Sequence, residues 1–199
     1  MNAVPEDQQM SSQRDAVWQT VSGYVPKSDR EAADKEQILH YIESGRDALT
    51  RNDTVAHFTA SAWVTDPERG SVLMAYHNIY KSWAWLGGHA DGEGDLSAVA
   101  FREANEETGI DHLVLLCEDP VSLEVLNVAA HIKNSAIVSP HLHFNLTYLF
   151  EADPQLPLKI KEDENSAVGW RTESQIIKET KEEQIIPIYR KLLFIMKRY

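Results

Sequence analysis

Three glutamates, Glu103, Glu106 and Glu107, stand three and four residues apart, and Arg102 immediately precedes the first of them. On an α-helix that spacing puts all three carboxylates on one face, which is expected to face solvent. Like charges so close repel by roughly a few tenths of a kcal/mol per pair in a solvated helix. A hard divalent cation among the oxygens would relieve that repulsion, and Mg2+ is the natural choice because it takes oxygen ligands, keeps several waters and binds substrate phosphates. The guanidinium of Arg102 can hold one carboxylate in place. Glycines ahead of the helix let a backbone carbonyl approach the metal, and a loop without Cβ atoms admits a pyrophosphate equally closely. Three glutamates alone would describe no more than an acidic helix face.

Histidine supplies a second group: His77, His89, His131, His141 and His143. His141 and His143 are spaced to share one face of a strand. Such imidazoles can contact phosphate or bind a softer metal such as zinc, although polar cleft lining is the plainer reading without a cysteine partner. Trp83, Trp85, Phe144 and Tyr148 can stack on a base, but an aromatic residue in a strand is more often core.

The elements that must position these residues follow from periodicity and turn chemistry. Residues 1 to about 12 are polar and expected to fray, and Val17 to Val25 reads as a short helical segment. Ser28 with Glu31 three residues on forms a capping box, and the helix it starts is expected to run to about Arg51, with Ile38, Leu39, Tyr41, Ile42, Ala48 and Leu49 at helical spacing. Phe58 to Thr65 alternates as one strand, Asp66 to Gly70 reads as a turn, and Ser71 to Tyr76 completes a hairpin. Trp83 to Leu86 leads into Gly87-Gly88. The next helix runs from an N-cap at Asp95 to Thr108, stopped by Gly109. Strands are predicted around Leu113 to Cys117, Leu123 to Ala130 and His143 to Phe150, followed by an acidic loop, Lys161 to Asn165, and two helices. Ile185, Ile186, Leu192, Leu193, Ile195 and Met196 give the last helix an apolar stripe, and Lys197 and Arg198 suit the negative end of its dipole. Strands and helices in this order predict an α/β or α+β sandwich.

The chain of 199 residues is long enough for one well-buried core plus an appendage, with 43% hydrophobic and 25% charged residues. Its formal net charge of -12 gives no attraction to a phosphate backbone, so duplex nucleic acid is a poor partner and a small anionic substrate must be received through a local metal site. The single cysteine, Cys117, excludes an intrachain disulfide and reads as a buried small hydrophobe. No apolar run approaches the ~18 residues that span a bilayer, and the N-terminus has no apolar signal core, so the cytoplasm is the simplest location.

The stretch Gly87 to Ile110 resembles the Nudix box: Gly, five residues, Glu, seven residues, Arg-Glu, an aliphatic, any residue, Glu-Glu, any residue, Gly, an aliphatic. Gly88, Arg102, Glu103, Glu106, Glu107, Gly109 and Ile110 all fall on it. With a common residue at roughly one in fifteen per position, seven matches at fixed spacing are not accidental. Gly94 departs from the pattern at its first glutamate, for which Glu93 or Asp95 can substitute, and Ala104 is small where a larger aliphatic is usual. The wider combination of Thr59 to Ala62, His77, Trp85 to Gly92 and His141-x-His143 resembles a bacterial branch of Nudix proteins with a helical extension.

The resemblance implies an α/β fold, a Nudix-type α/β/α sandwich around a mixed sheet over residues 55–199, with residues 1–54 as a helical N-terminal extension. It implies a metal-dependent pyrophosphohydrolase cleaving a diphosphate linkage in a nucleoside diphosphate derivative. Glu103, Glu106, Glu107 and the Gly88 carbonyl would bind Mg2+ or Mn2+, and Arg102 would orient the ligands. The general base, which varies across the family, would be Glu106 or a carboxylate of the later loop, Glu162, Asp163 or Glu164, with Glu164 preferred. The partner expected is a small nucleotide-type diphosphate, with no duplex nucleic acid, no membrane and a homodimer as an allowed assembly. A non-hydrolytic Nudix sensor is the alternative, with the N-terminal helices as its partner surface. Isopentenyl-diphosphate isomerase, which needs a cysteine near its site, is a weaker one.

Overall fold

The computed structural model describes residues 6–79, 81–133 and 136–199. In chain order they form α1 (Glu6–Gly23), α2 (Asp29–Glu43), β1 (Ala56–Thr65), β2 (Ser71–His77), β3 (Ser82–Ala84), β4 (Leu86–His89), α3 (Leu96–Thr108), β5 (Val114–Leu115), β6 (Ser122–Val128), β7 (His131–Lys133), β8 (Ala136–Val138), β9 (His141–Glu151), β10 (Asn165–Thr172), α4 (Glu173–Glu179) and α5 (Ile186–Met196). One sheet has the order β10-β2-β1-β9-β5, with β3 on β2, β4 on β1 and β6 on β9, and β7 with β8 makes a separate ribbon. The expected α/β class is what is found. Close contacts gather the chain into two compact units, residues 1–60 with 89–99 and 122–146, and residues 61–88 with 100–121 and 147–199.

In the first unit the N-terminal helix is longer than its composition suggests. Its turns begin at Glu6 and bury Val17 and Val21, an i,i+4 pair, so the fraying expected through residue 12 does not hold for residues 6–12, while residues 1–5 lie outside the described residues. Polar residues mask this helix from a hydrophobicity pattern. Lys35 of α2 donates from its Nζ to the carbonyls of Ser22 and Tyr24, at 2.7 and 2.8 Å, and so satisfies the end of α1. The Ser28 side chain caps α2 as its sequence implies, accepting from the Glu31 amide at 3.2 Å.

α2 stops at Glu43, well short of the expected Arg51. Gly45 takes a left-handed backbone, φ 80°, and Arg46 turns back to hold Asp53 with two bonds of 2.9 and 3.0 Å. Ala48 and Leu49 are buried as expected, but from a loop, where the Ala48 carbonyl accepts from the Phe58 amide at 2.7 Å.

The second unit is organised on β2. Seven residues of β10 pair antiparallel with it, from Asn165 opposite His77 to Thr172 opposite Ser71. The turn before β2 is tied by Asp66, whose carboxylate accepts from the Gly70 amide and the Ser71 hydroxyl. Trp63, fully buried, meets the Tyr189 ring of α5 at 5.2 Å and donates to Met196 Sδ at 3.4 Å. Burying side chains of this size contributes about 1.5–3 kcal/mol each. Of the apolar stripe predicted for the end of the chain, Ile185, Leu192, Leu193, Ile195 and Met196 are buried, joined by Ile188 and Tyr189, while Ile186 is half-buried.

β5 is shorter than the predicted strand, and Val114 and Leu115 are exposed because they pair only with Glu151 and Phe150 at the end of the sheet order. Cys117 is half-buried rather than buried.

Candidate active site

The local fold of the box follows its sequence. Asp95 Oδ1 accepts from the Ser97 and Ala98 amides at 3.1 Å each and starts α3, and Gly109 at φ 72° ends it. Ala104 is fully buried, so its small side chain stands inside the core.

The second unit brings Gly87, Gly88, Arg102, the three glutamates and Asn165 together. A Cβ on Gly88 would lie 2.8 Å from Glu103 Oε1, so the main chain rests close against that carboxylate and a side chain at this position would displace it. Arg102 donates to the same oxygen at 2.9 Å and its Nε lies 4.0 Å from Glu106 Oε1. Glu107 was expected to face solvent with the other two, and it does not: it is 4% exposed. Its Oε2 accepts from the Gly87 amide and its Oε1 from Asn165 Nδ2, both at 3.1 Å. Burial pushes the Glu107 carboxyl up to about 7 despite those two donors. Burial also raises Glu103, against the pull of Arg102. Glu106 remains exposed.

Loop residues complete the group. Lys161 Nζ lies 3.1 Å from Glu106 and 3.1 Å from Glu164, and the Glu164 carbonyl accepts from the Asn78 amide at 2.9 Å. Burial works against the Lys161 charge, but the carboxylates of Glu164 and Glu106 hold the ammonium above the usual lysine range. Glu162 and Asp163 are exposed. Lys161 and Asn165 carry no motif, and sequence reasoning missed the roles of both. Asn165 is 1% exposed with its Oδ1 unpartnered.

This donor set fits a hard divalent cation. Two carboxylates lose solvation beside a third and beside glycine backbone, and a cation would favour their charged forms.

The first unit collects a different group. His57 and His143 rings lie 5.0 Å apart, His89 and His143 5.0 Å, and His57 and His89 5.1 Å. One ring nitrogen from each of the three lies within 4.8 Å of the others. His141 joins at the edge, with its Nε2 3.2 Å from His143 Nε2. Burial and then the neighbouring imidazoles push His143 down to about 2, and burial lowers His57. His57, the most buried of them, was absent from the sequence reading; its signal was its place on the same strand face as Thr59 and Ser61. His131 stays at the margin, 6.4 Å from His141, and His77 serves a turn, accepting from the Ile79 amide at 3.2 Å. Of the four aromatics considered for stacking, Trp83, Phe144 and Tyr148 are buried in the core and Trp85 is half-buried.

Gly94 has a structural reason. A Cβ there would lie 2.9 Å from the backbone carbon of Gln13, and the Gly94 amide donates to Gln13 Oε1 at 2.6 Å. Helix α1 therefore occupies the space that a side chain at the first box position would need. Asp95 is committed to the helix cap and Glu93 accepts from the Asp95 amide, 3.0 Å.

Fold and site together define an α/β protein with a glycine-flanked acidic helix. The family model described as NUDIX domain matches residues 55–192, and the chain belongs to the Nudix family. Among curated proteins, no sequence matches this chain. Similar solved structures include a C. elegans Ap4A hydrolase in a binary complex, 18% identical, TM-score 0.53, covering 71% of this chain and 98% of that one. The E. coli dihydroneopterin triphosphate pyrophosphohydrolase is 15% identical, TM-score 0.53, with 69% and 94% covered. A Nudix hydrolase from M. smegmatis, RenU, is 16% identical, TM-score 0.52, with 71% and 86% covered. These likenesses show the shared fold. Among the described residues no helix is long and apolar enough to cross a membrane.

Proposed function

We propose that this Nudix protein hydrolyses a diphosphate linkage in a small nucleoside diphosphate derivative, with residues 55–199 as the hydrolase domain and residues 1–54 as its helical extension. The observation that carries the reading is the Gly88 backbone seated on the Glu103 carboxylate, beside Glu106 and a Glu107 fixed by Gly87 and Asn165. Glu103, Glu106, Glu107 and the Gly88 carbonyl would hold Mg2+ or Mn2+. When bound, the ion supplies Lewis acidity and an activated water.

The chain's own residues do the rest. Arg102 fixes the direction of Glu103, and Asn165 with the Gly87 amide fixes Glu107, so the ligand oxygens are held before substrate arrives. Glu164 would take a proton from the attacking water, with Glu106 as the other carboxylate able to do so; Lys161 lies 3.1 Å from both and favours their ionised forms. Lys161 also presents a positive charge to an anionic substrate.

The test is to incubate purified protein, with Mg2+ or Mn2+, against ADP-ribose, NADH, dinucleoside polyphosphates, nucleoside triphosphates and capped RNA. Release of a nucleotide from at least one compound, abolished by Glu106→Gln, is expected. If every compound survives, the hydrolase reading fails and the non-hydrolytic sensor takes its place, read out as ligand-induced thermal stabilisation without turnover.

A further inference from the structure

We propose that His57, His89 and His143 form a second metal site, for a zinc-class divalent transition ion, with a fourth position left open beside His141. The site uses none of the proposed Mg2+ ligands, although His89 follows Gly88 within the box, and it stands independently of the hydrolase reading.

Four observations carry it. Three separate chain segments, the start of β1, the end of β4 and the start of β9, bring one ring nitrogen each to within 4.8 Å of the other two. Tetrahedral zinc at ~2.0–2.1 Å from each nitrogen holds its ligands roughly 3.4 Å apart, so side-chain rotation of about an ångström closes the set. His57 donates from Nδ1 to the Asp53 carbonyl at 3.1 Å, which leaves its Nε2 with a lone pair; that atom is buried and has no hydrogen-bond partner. A ligating imidazole is ordinarily fixed in this way through its other nitrogen, and a buried polar atom without a partner calls for an occupant.

His141 repeats the device. Its Nδ1 donates to the Ser139 carbonyl at 2.9 Å, so its Nε2 also carries a lone pair, and it is aimed at His143 Nε2 at 3.2 Å. A cation drawing His143 inward would leave His141 to accept from a water in the open position. Finally, the group contains no carboxylate and no thiolate among the described residues. All-imidazole donors suit zinc and its first-row neighbours and are a poor match for Mg2+, which demands oxygen. The two metal sites would thus be sorted by donor chemistry.

The test uses the full chain, stripped with chelator and returned to buffer containing excess Mg2+. Titration with Zn2+ against a chromophoric zinc indicator should give one tight site per chain, and Glu103→Gln should leave it unchanged. His57→Gln and His143→Gln should each weaken Zn2+ by more than the roughly 10–100-fold that loss of a mere outer-shell partner brings. Should either variant misfold by circular dichroism, long-range proton–nitrogen spectra of imidazole-labelled wild type decide instead: His57 Nε2 and one ring nitrogen each of His89 and His143 should shift together at one equivalent. No Zn2+ binding in the presence of Mg2+, or a shift confined to exposed His112 and half-buried His131, would overturn the site.

Discussion

Gly94→Ala isolates the reason for the one missing box glutamate, because it adds a single Cβ. That atom would sit 2.9 Å from the Gln13 backbone carbon and 2.6 Å from Gln13 Oε1, and the neighbour is helix backbone that cannot swing aside. Forcing it in is overpacking, about 1–3 kcal/mol. Shifting α1 also loses the Gly94 amide bond to Gln13, a further ~0.5–1.5 kcal/mol, while the stiffer unfolded chain returns about 0.4–1 kcal/mol. The net loss spans about 0.5–4 kcal/mol and centres on about 2 kcal/mol, which is roughly 4–8 °C in Tm for a chain of this size. Thermal melts by circular dichroism measure it, with limited proteolysis reporting release of α1. Gly23→Ala is the control: nothing lies within 4 Å of its Cβ, so it should be neutral or raise Tm slightly. If Gly94→Ala melts with the wild type, α1 does not rest on this loop, and the explanation for the absent glutamate is wrong.

Glu107 makes apo stability depend on pH with a definite sign. Its folded pKa, about 7, lies above the ordinary value of 4.5, so its contribution is fully present below about 4.5 and is lost as pH rises through 7; urea melts in EDTA should show stability falling between pH 5 and 8, and Glu107→Gln should flatten that slope. Asp53→Ala removes the acceptor of Arg46, of Tyr41 at 2.8 Å and of the Val55 amide at 2.9 Å; with half-exposed Arg46 discounted, equilibrium unfolding should register a loss of about 2 kcal/mol. Tyr189→Phe leaves the Trp85 amide, now donating to the hydroxyl at 3.0 Å, without its partner; about 1–2 kcal/mol of stability should be lost in the same assay.

Much of the box was legible because its geometry is local. Helical period alone puts Glu103, Glu106 and Glu107 on one face, Asp95 and Gly109 end the helix through short-range bonds, and Arg102 reaches the carboxylate next to it in sequence. The β1–β2 turn and the stripe of α5 were readable for the same reason. Where α2 ends was not, because a pattern of apolar residues cannot tell a buried loop at Ala48 and Leu49 from a helix face; the Arg46–Asp53 turn decided it.

What only tertiary structure decided is what each local element meets. The acidity of Glu107 depends on Gly87 and on Asn165, residues 20 and 58 positions away. His57 meets His89 and His143 only where β1, β4 and β9 converge. Gly94 looks like a defect until Gln13, 81 residues earlier, is seen against it. The sequence by itself determined the acidic helix and the family to which it belongs, since periodicity and short-range hydrogen bonding are written in neighbouring residues. Burial, pKa and the meeting of histidines depend on strand register and helix docking, which sum contacts across the whole chain.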